Sequence, residues 1–179
     1  MTVEALNRIL FGLVALAPAV AIACGPTRNK ETTAIQIDAP ADNVWAIVGN
    51  YDDMNWNAAV TKTEATSGSV PDVSKRTLTL KSGKALTDIL TGLDPAGKTI
   101  SFMTENEDTS AMPVRGYTSK ITVRDSGGKT TVEWLGAFVR GYANNDPPPD
   151  LNDEAAIAAV SAYQKAALAS LKLKIESGS

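Results

Sequence analysis

The sequence predicts an α+β domain. A curved antiparallel sheet of about seven strands curls into a cup around one long C-terminal helix, with two short helices after the first strand. Three observations carry that expectation. From about residue 60 to 140 the chain runs in short strand-like stretches, each closed by a turn signal. Residues 152–176 carry a one-sided apolar stripe: Ile157, Val160, Leu168, Leu171 and Ile175, with Ala167 beside it. A single helical region, 40–59, separates the first strand from the others. A sheet bounded in this way buries one face by packing it on the longer helix.

The first strand runs from Thr32 to Asp38, with Thr33, Ile35 and Ile37 on one side and Ala34, Gln36 and Asp38 on the other. Ala39-Pro40 breaks it. Pro40-Ala41-Asp42 opens a helix with apolar positions Val44, Trp45, Ile47 and Val48, which Gly49-Asn50 ends. Tyr51 to Ala59 reads as a short helical turn carrying Trp56. Strands follow over 61–66, 76–81, 85–93, 99–105, 116–124 and 130–140. Hairpin signals stand at Ser82-Gly83 and Asp125-Ser126-Gly127-Gly128, and a turn at Asp94-Pro95-Ala96-Gly97. Asn144 to Asp150 (NNDPPPD) is a stiff polar connector with polyproline character, a docking strip or a plain spacer. The last helix spans roughly 35 Å at about 1.5 Å per residue, enough to cross a sheet from edge to edge. Asp153 and Glu154 in its first turn and Lys172 and Lys174 in its last suit its dipole.

Composition narrows the chemistry. The 179 residues suffice for one domain with a real core. Net charge is −3 and the lysines are scattered among acids, so there is no basic footprint for nucleic acid. Histidine is absent, which excludes Ser-His-Asp and Cys-His catalysis and His-ligated zinc or haem. The single cysteine, Cys24, excludes an internal disulfide. No metal site and no cofactor are expected: Glu105-Asn106-Glu107-Asp108 and Asp52-Asp53 lack calcium-loop spacing and read as solvated loop charge.

Residues 1–23 read as a signal peptide: Arg8, the apolar stretch Ile9 to Ala23, and an Ala21-Ile22-Ala23 end. The stretch is short for a membrane span and contains Gly12 and Pro18. The expected location is therefore periplasmic, with residues 24–179 forming one domain. Cys24 follows directly and is a candidate for lipidation. Ordinary cleavage with soluble release is the alternative, because the position three residues before the cysteine is Ala21 rather than leucine.

The order of elements resembles the helix-grip fold of the START/Bet v 1-like, or SRPBCC, superfamily. Ile37-Asp38-Ala39-Pro40-Ala41-Asp42-Asn43-Val44-Trp45 resembles the entry strand and first helix of polyketide cyclase/dehydrase-like members. Arg76-Thr77-Leu78-Thr79-Leu80, Ser82-Gly83 and Asp88-Ile89-Leu90 resemble their central hairpin, and Val132-Glu133-Trp134 their last strand. Cys24-Gly25-Pro26-Thr27, Met112-Pro113-Val114 with Tyr117, and the run from Asn145 to Ala156 (NDPPPDLNDEAA) are similar to the MxaD-like periplasmic proteins. That resemblance implies support of methanol oxidation by a quinoprotein dehydrogenase and its cytochrome acceptor. Two departures stand out. Trp56-Asn57-Ala58 replaces a Trp-His-Pro common in relatives, and the subgroup tends to lack a cysteine after the cleavage point.

Candidate site residues come from strand pairing. Pairing about Ser82 sets Leu80 opposite Lys84, Leu78 opposite Leu86 and Arg76 opposite Asp88, so Arg76, Leu78, Leu80, Leu86 and Asp88 share a face. Two charges on an apolar face suggest an ion pair inside the cup, either an anchor for a ligand headgroup or a self-satisfying cross-strand bridge. On the other hairpin Tyr117, Ser119, Ile121 and Val123 share one face, as do Val132, Trp134, Gly136 and Phe138. Trp56 is placed to close one end of the pocket, and Tyr117 or Tyr142 to offer a phenol. The expected ligand cavity is thus Trp56, Arg76, Leu78, Leu80, Leu86, Asp88, Tyr117, Ser119, Ile121, Trp134 and Phe138, with Val160 and Leu168 from the helix. No catalytic residue is expected. The leading expectation is an exported, non-enzymatic accessory protein with a hydrophobic cavity. A periplasmic small-molecule or lipid binder is the alternative, and a cyclase- or dehydratase-like enzyme using Arg76, Asp88 and Tyr117 is the third reading.

Overall fold

The computed structural model describes residues 25–66 and 68–178; the signal-peptide expectation and Cys24 lie outside the described residues. Strand β1 (Asn29–Ile37) leads into helix α1 (Ala41–Val48). Six strands follow: β2 (Val60–Ala65), β3 (Lys75–Leu80), β4 (Ala85–Asp94), β5 (Thr99–Thr104), β6 (Val114–Asp125) and β7 (Thr130–Arg140). Helix α2 (Asp153–Glu176) completes the order. The strands form one seven-stranded sheet in the order β1-β7-β6-β5-β4-β3-β2, and every neighbouring pair is antiparallel. This is the expected helix-grip α+β fold.

Irregularities in the pairing help the sheet to curve. Register shifts fall between Val60 and Lys62, Leu90 and Gly92, and Arg115 and Thr118. Each inserts extra backbone on one strand, which bends it and increases its twist. The last shift contains Gly116 at φ +56°, a left-handed conformation that costs a glycine little.

Helix α2 joins the two ends of this curved sheet. It begins beside the start of β1, where Asn29 Nδ2 donates to Asp153 Oδ1 (2.8 Å). It ends beside the end of β1, where Lys172 Nζ donates to the Gln36 carbonyl (2.7 Å) and the Asp38 amide donates to Glu176 Oε1 (2.8 Å). It therefore runs along β1 rather than across the sheet from edge to edge. The other end of the sheet reaches the same helix through the segment before β2. Ser170 Oγ donates to the Trp56 carbonyl (2.7 Å) and accepts from the Ala58 amide (2.9 Å). Arg140 fixes the entry to α2. It bonds the Tyr142 and Asn144 carbonyls and pairs with Asp153 at 2.9 Å, so the proline-rich connector is tied at both ends.

Two expectations need correction. A single short helix follows β1. Residues 51–59 form turns instead of a second helix, because side chains of this segment and of β2 take backbone donors that a helix would use. Asp53 Oδ1 accepts from the Asn55 amide (2.8 Å), Thr63 Oγ1 from the Met54 amide (3.1 Å) and Asn57 Oδ1 from the Ala59 amide (2.9 Å). The buried face of α2 keeps Val160, Ala167, Leu168 and Leu171 of the expected stripe, with Ile175 partly buried, but departs from it at Ile157. Ala156, Val160, Gln164, Ala167, Leu168 and Leu171 are buried, whereas Ile157 is 37% exposed. The small Ala156 packs inward in place of the larger Ile157, and polar Gln164 sits mid-stripe.

Candidate functional site

The β3–β4 hairpin pairs Leu78 with Leu86 and Arg76 with Asp88, as read from its turn. Arg76 is 3% exposed and Asp88 2%. Arg76 Nε and Nη2 both donate to Asp88 Oδ2 at 3.3 Å, and Nη1 donates to the Tyr51 carbonyl at 3.1 Å. The guanidinium lies between two rings, 4.5 Å from the Tyr51 centroid and 4.4 Å from that of Phe102. Asp88 Oδ1 accepts from Thr104 Oγ1 (2.7 Å), and the Tyr51 hydroxyl donates to the Asp88 carbonyl (2.8 Å). Each charge is thus neutralised and hydrogen-bonded by the fold itself, which a buried ion pair requires to persist.

A second polar group lies between the β6–β7 hairpin and α2. Thr33 Oγ1 donates to Gln164 Oε1 (2.9 Å), and Gln164 Nε2 donates to the Tyr117 hydroxyl (3.3 Å). Trp134 Nε1 donates to Ser119 Oγ (3.0 Å). Rings meet edge-on around Trp134: Trp56 at 6.3 Å, Phe102 at 6.1 Å and Tyr163 at 5.7 Å between centroids, a favoured aromatic geometry. Tyr117 meets Phe138 in the same way at 6.1 Å. Gly136 admits this group, because a Cβ there would stand 2.7 Å from Gln164 Nε2 and 2.8 Å from Tyr117 Cε2.

Burial sets the electrostatics. It pushes the Tyr117 phenol up to about 12, against the pull of hydrogen bonds from Ser119 and Gln164. Burial also raises the phenols of Tyr51 and Tyr163. An unfolded tyrosine ionises near about 10. Above that pH the unfolded chain releases protons that the folded chain keeps, so stability is intact below about pH 10 and falls as pH rises. We expect urea midpoints to drop steadily from about pH 10 upward, and Tyr117→Phe to make that drop shallower. A flat profile to about pH 12 would contradict the burial of these phenols.

All thirteen expected cavity residues are buried, and the apolar ones belong to one continuous core cluster. Leu86 and Tyr117 also border a narrow cleft of about 10 Å³, whose rim includes Asn106, Met112 and Arg115. Tyr142, outside the strands, offers its carbonyl to Arg140. The acidic loop residues are partly paired, Glu105 with Lys75 and Glu107 with Arg115. Among the described residues no group of three or more His, Cys, Asp or Glu is placed to hold a metal, and no helix is long and apolar enough to cross a membrane. The sequence reading missed Tyr51, Phe102, Thr104, Asn57, Tyr163 and Gln164. Of these only Gln164, a polar residue four positions from both Val160 and Leu168, left a visible mark in the pattern.

A family model described as "Polyketide cyclase / dehydrase and lipid transport" matches residues 29–176. The chain belongs to this polyketide cyclase/dehydrase and lipid transport family. Solved structures share its Bet v 1-like fold. The protein XoxI from Bacillus cereus is 22% identical over 80% of this chain and 93% of its own, with a TM-score of 0.67. Norcoclaurine synthase from Thalictrum flavum, solved with dopamine and hydroxybenzaldehyde, is 10% identical over 94% and 98%, with a TM-score of 0.64. The di-domain ARO/CYC BexL of the BE-7585A biosynthetic pathway is 26% identical, with a TM-score of 0.62; the match covers 83% of this chain and 46% of BexL. No curated protein matches the chain. The family description thus spans both cyclase/dehydrase chemistry and lipid transport.

Proposed function

We propose that this cyclase/dehydrase-family chain is an exported accessory protein that recognises rather than transforms, and that it supports periplasmic methanol oxidation by a quinoprotein dehydrogenase and its cytochrome. One observation carries the non-catalytic part. The carboxylate best buried in the cup, Asp88, is fully engaged by Arg76 and Thr104, while burial raises Tyr51, Tyr117 and Tyr163 away from the range useful for proton transfer. The resemblance of residues 145–156 to the MxaD-like proteins supports the choice of partner, and Arg140 holds that same connector in a fixed shape. Adding the purified protein to a quinoprotein methanol dehydrogenase and its cytochrome should raise the rate of electron transfer between them. An unchanged rate with no detectable complex would overturn this reading.

A second reading is a carrier of a small apolar ligand. The apolar core under α2 and the lipid-transport wording of the family description support it. Native mass spectrometry of protein from its own periplasm should then show a bound small molecule; a uniformly ligand-free mass would count against it.

A further inference from the structure

The sheet ends in two edge strands, β1 and β2, and they are covered differently. Helix α2 runs along β1 and engages its Gln36 carbonyl with Lys172. Strand β2 has β3 on one side only. The Thr66 amide donates to the Lys75 carbonyl (2.9 Å), which fixes the alternation of this ladder. The backbone groups of Lys62 and Glu64 therefore turn towards β3, and those of Thr63 and Ala65 turn to the open edge. Among the described residues, no group bonds to the Thr63 or Ala65 backbone on that side. The Thr63 side chain faces the cup, opposite Leu78, where its hydroxyl accepts from the Met54 amide and donates to Asn55 Oδ1.

An edge with unpaired backbone groups is prone to pair with another strand, and a lone lysine commonly guards it. Here the lysine has a countercharge beside it. Lys62 and Glu64 share the outer face, with side chains 62% and 57% exposed, and pair with each other at 2.8 Å. When β2 meets a second β2 in antiparallel fashion, outward-turned backbone must meet outward-turned backbone. Few registers satisfy this and keep the middle of the strand paired. Centring on Lys62 sets lysine against lysine, and centring on Glu64 sets glutamate against glutamate; like charges directly opposite are destabilising. Centring on Thr63 sets Lys62 opposite the partner's Glu64 and Glu64 opposite the partner's Lys62. Both pairs then fall at non-hydrogen-bonded positions, where opposed side chains stand closest. The two copies of Thr63 exchange both of their backbone bonds. The charge pattern of β2 is thus self-complementary in one register.

We propose that β2 is the contact of a weak two-fold homodimer centred on Thr63. It joins the two seven-stranded sheets edge to edge, with both cups opening to the same side. The strip is short, which places the dimer in the weak, transient class.

Sedimentation of the purified protein over a concentration series tests this. The wild type should shift from monomer to dimer as concentration rises. Lys62→Glu alone, or Glu64→Lys alone, should weaken the dimer at least about tenfold, because each opposes like charges twice across the axis. Mixing those two variants should restore dimers, now of one chain with the other, and the double charge reversal in one chain should dimerise like the wild type. Ala65→Pro should leave the monomer folded, since the lost N–H points away from β3, and should abolish the dimer. A wild type that stays monomeric up to about 1 mM would overturn the proposal and leave the edge to solvent or to a strand of another protein. A dimer unmoved by both charge reversals and by Ala65→Pro would place the contact elsewhere and overturn it equally.

Discussion

Arg76→Met is expected to cost about 3–5 kcal/mol of folding stability, because it strands a carboxylate in the interior. Asp88 is 2% exposed, and Thr104 is its other side-chain partner. The replacement also leaves the Tyr51 carbonyl without its donor and removes a cation held 4.5 Å from one ring and 4.4 Å from another. Domains of this size are stable by only about 5–15 kcal/mol, so a large fall in the urea midpoint should be plain. A pair kept under tension for catalysis behaves in the opposite sense, since relieving an active site tends to raise stability. A gain on replacing Arg76 would therefore favour the enzyme reading.

Trp134→Ala should be comparably severe, about 3–5 kcal/mol. The indole is fully buried and is the hub of the ring cluster that joins β7 to β5, to α2 and to the turn before β2. Its loss empties the centre of the cup and leaves Ser119 without its donor. The comparison variant is Leu173→Ala on the outer side of α2, where the side chain is 69% exposed and the change should stay within about 0.5 kcal/mol. Similar urea midpoints for the two variants would mean that α2 does not pack on the sheet through this ring cluster.

Local pattern explains what the sequence made legible. Alternation with period two and short turns set the faces of both hairpins, so Arg76 opposite Asp88 and Ile121 opposite Trp134 follow from counting outward from the turn. Contacts distant in sequence do not follow from counting. Gln164 meets Thr33 across 131 positions, and Ser170 meets Trp56 across 114. Such pairs exist only once α2 has packed on the sheet, with Ala156 buried and Ile157 37% exposed. The absent second helix has a related cause: Asp53, Asn57 and Thr63 hold the 51–59 backbone in turns, one of them from beyond the segment. Asn57 illustrates the limit most clearly. Nothing in its local sequence distinguishes an exposed turn asparagine from one that is fully buried.

Interior charges that merely brace the cup ought to be exchangeable for grease. The decisive measurement is urea unfolding of Arg76→Met combined with Asp88→Leu, set beside Arg76→Met alone. The double variant should recover to within about 1–2 kcal/mol of wild type or exceed it, as apolar replacements of buried ion pairs commonly do, and it should keep its effect on the dehydrogenase and cytochrome. A well-folded double variant that has lost that effect would contradict a purely bracing role and show these two side chains serving function directly.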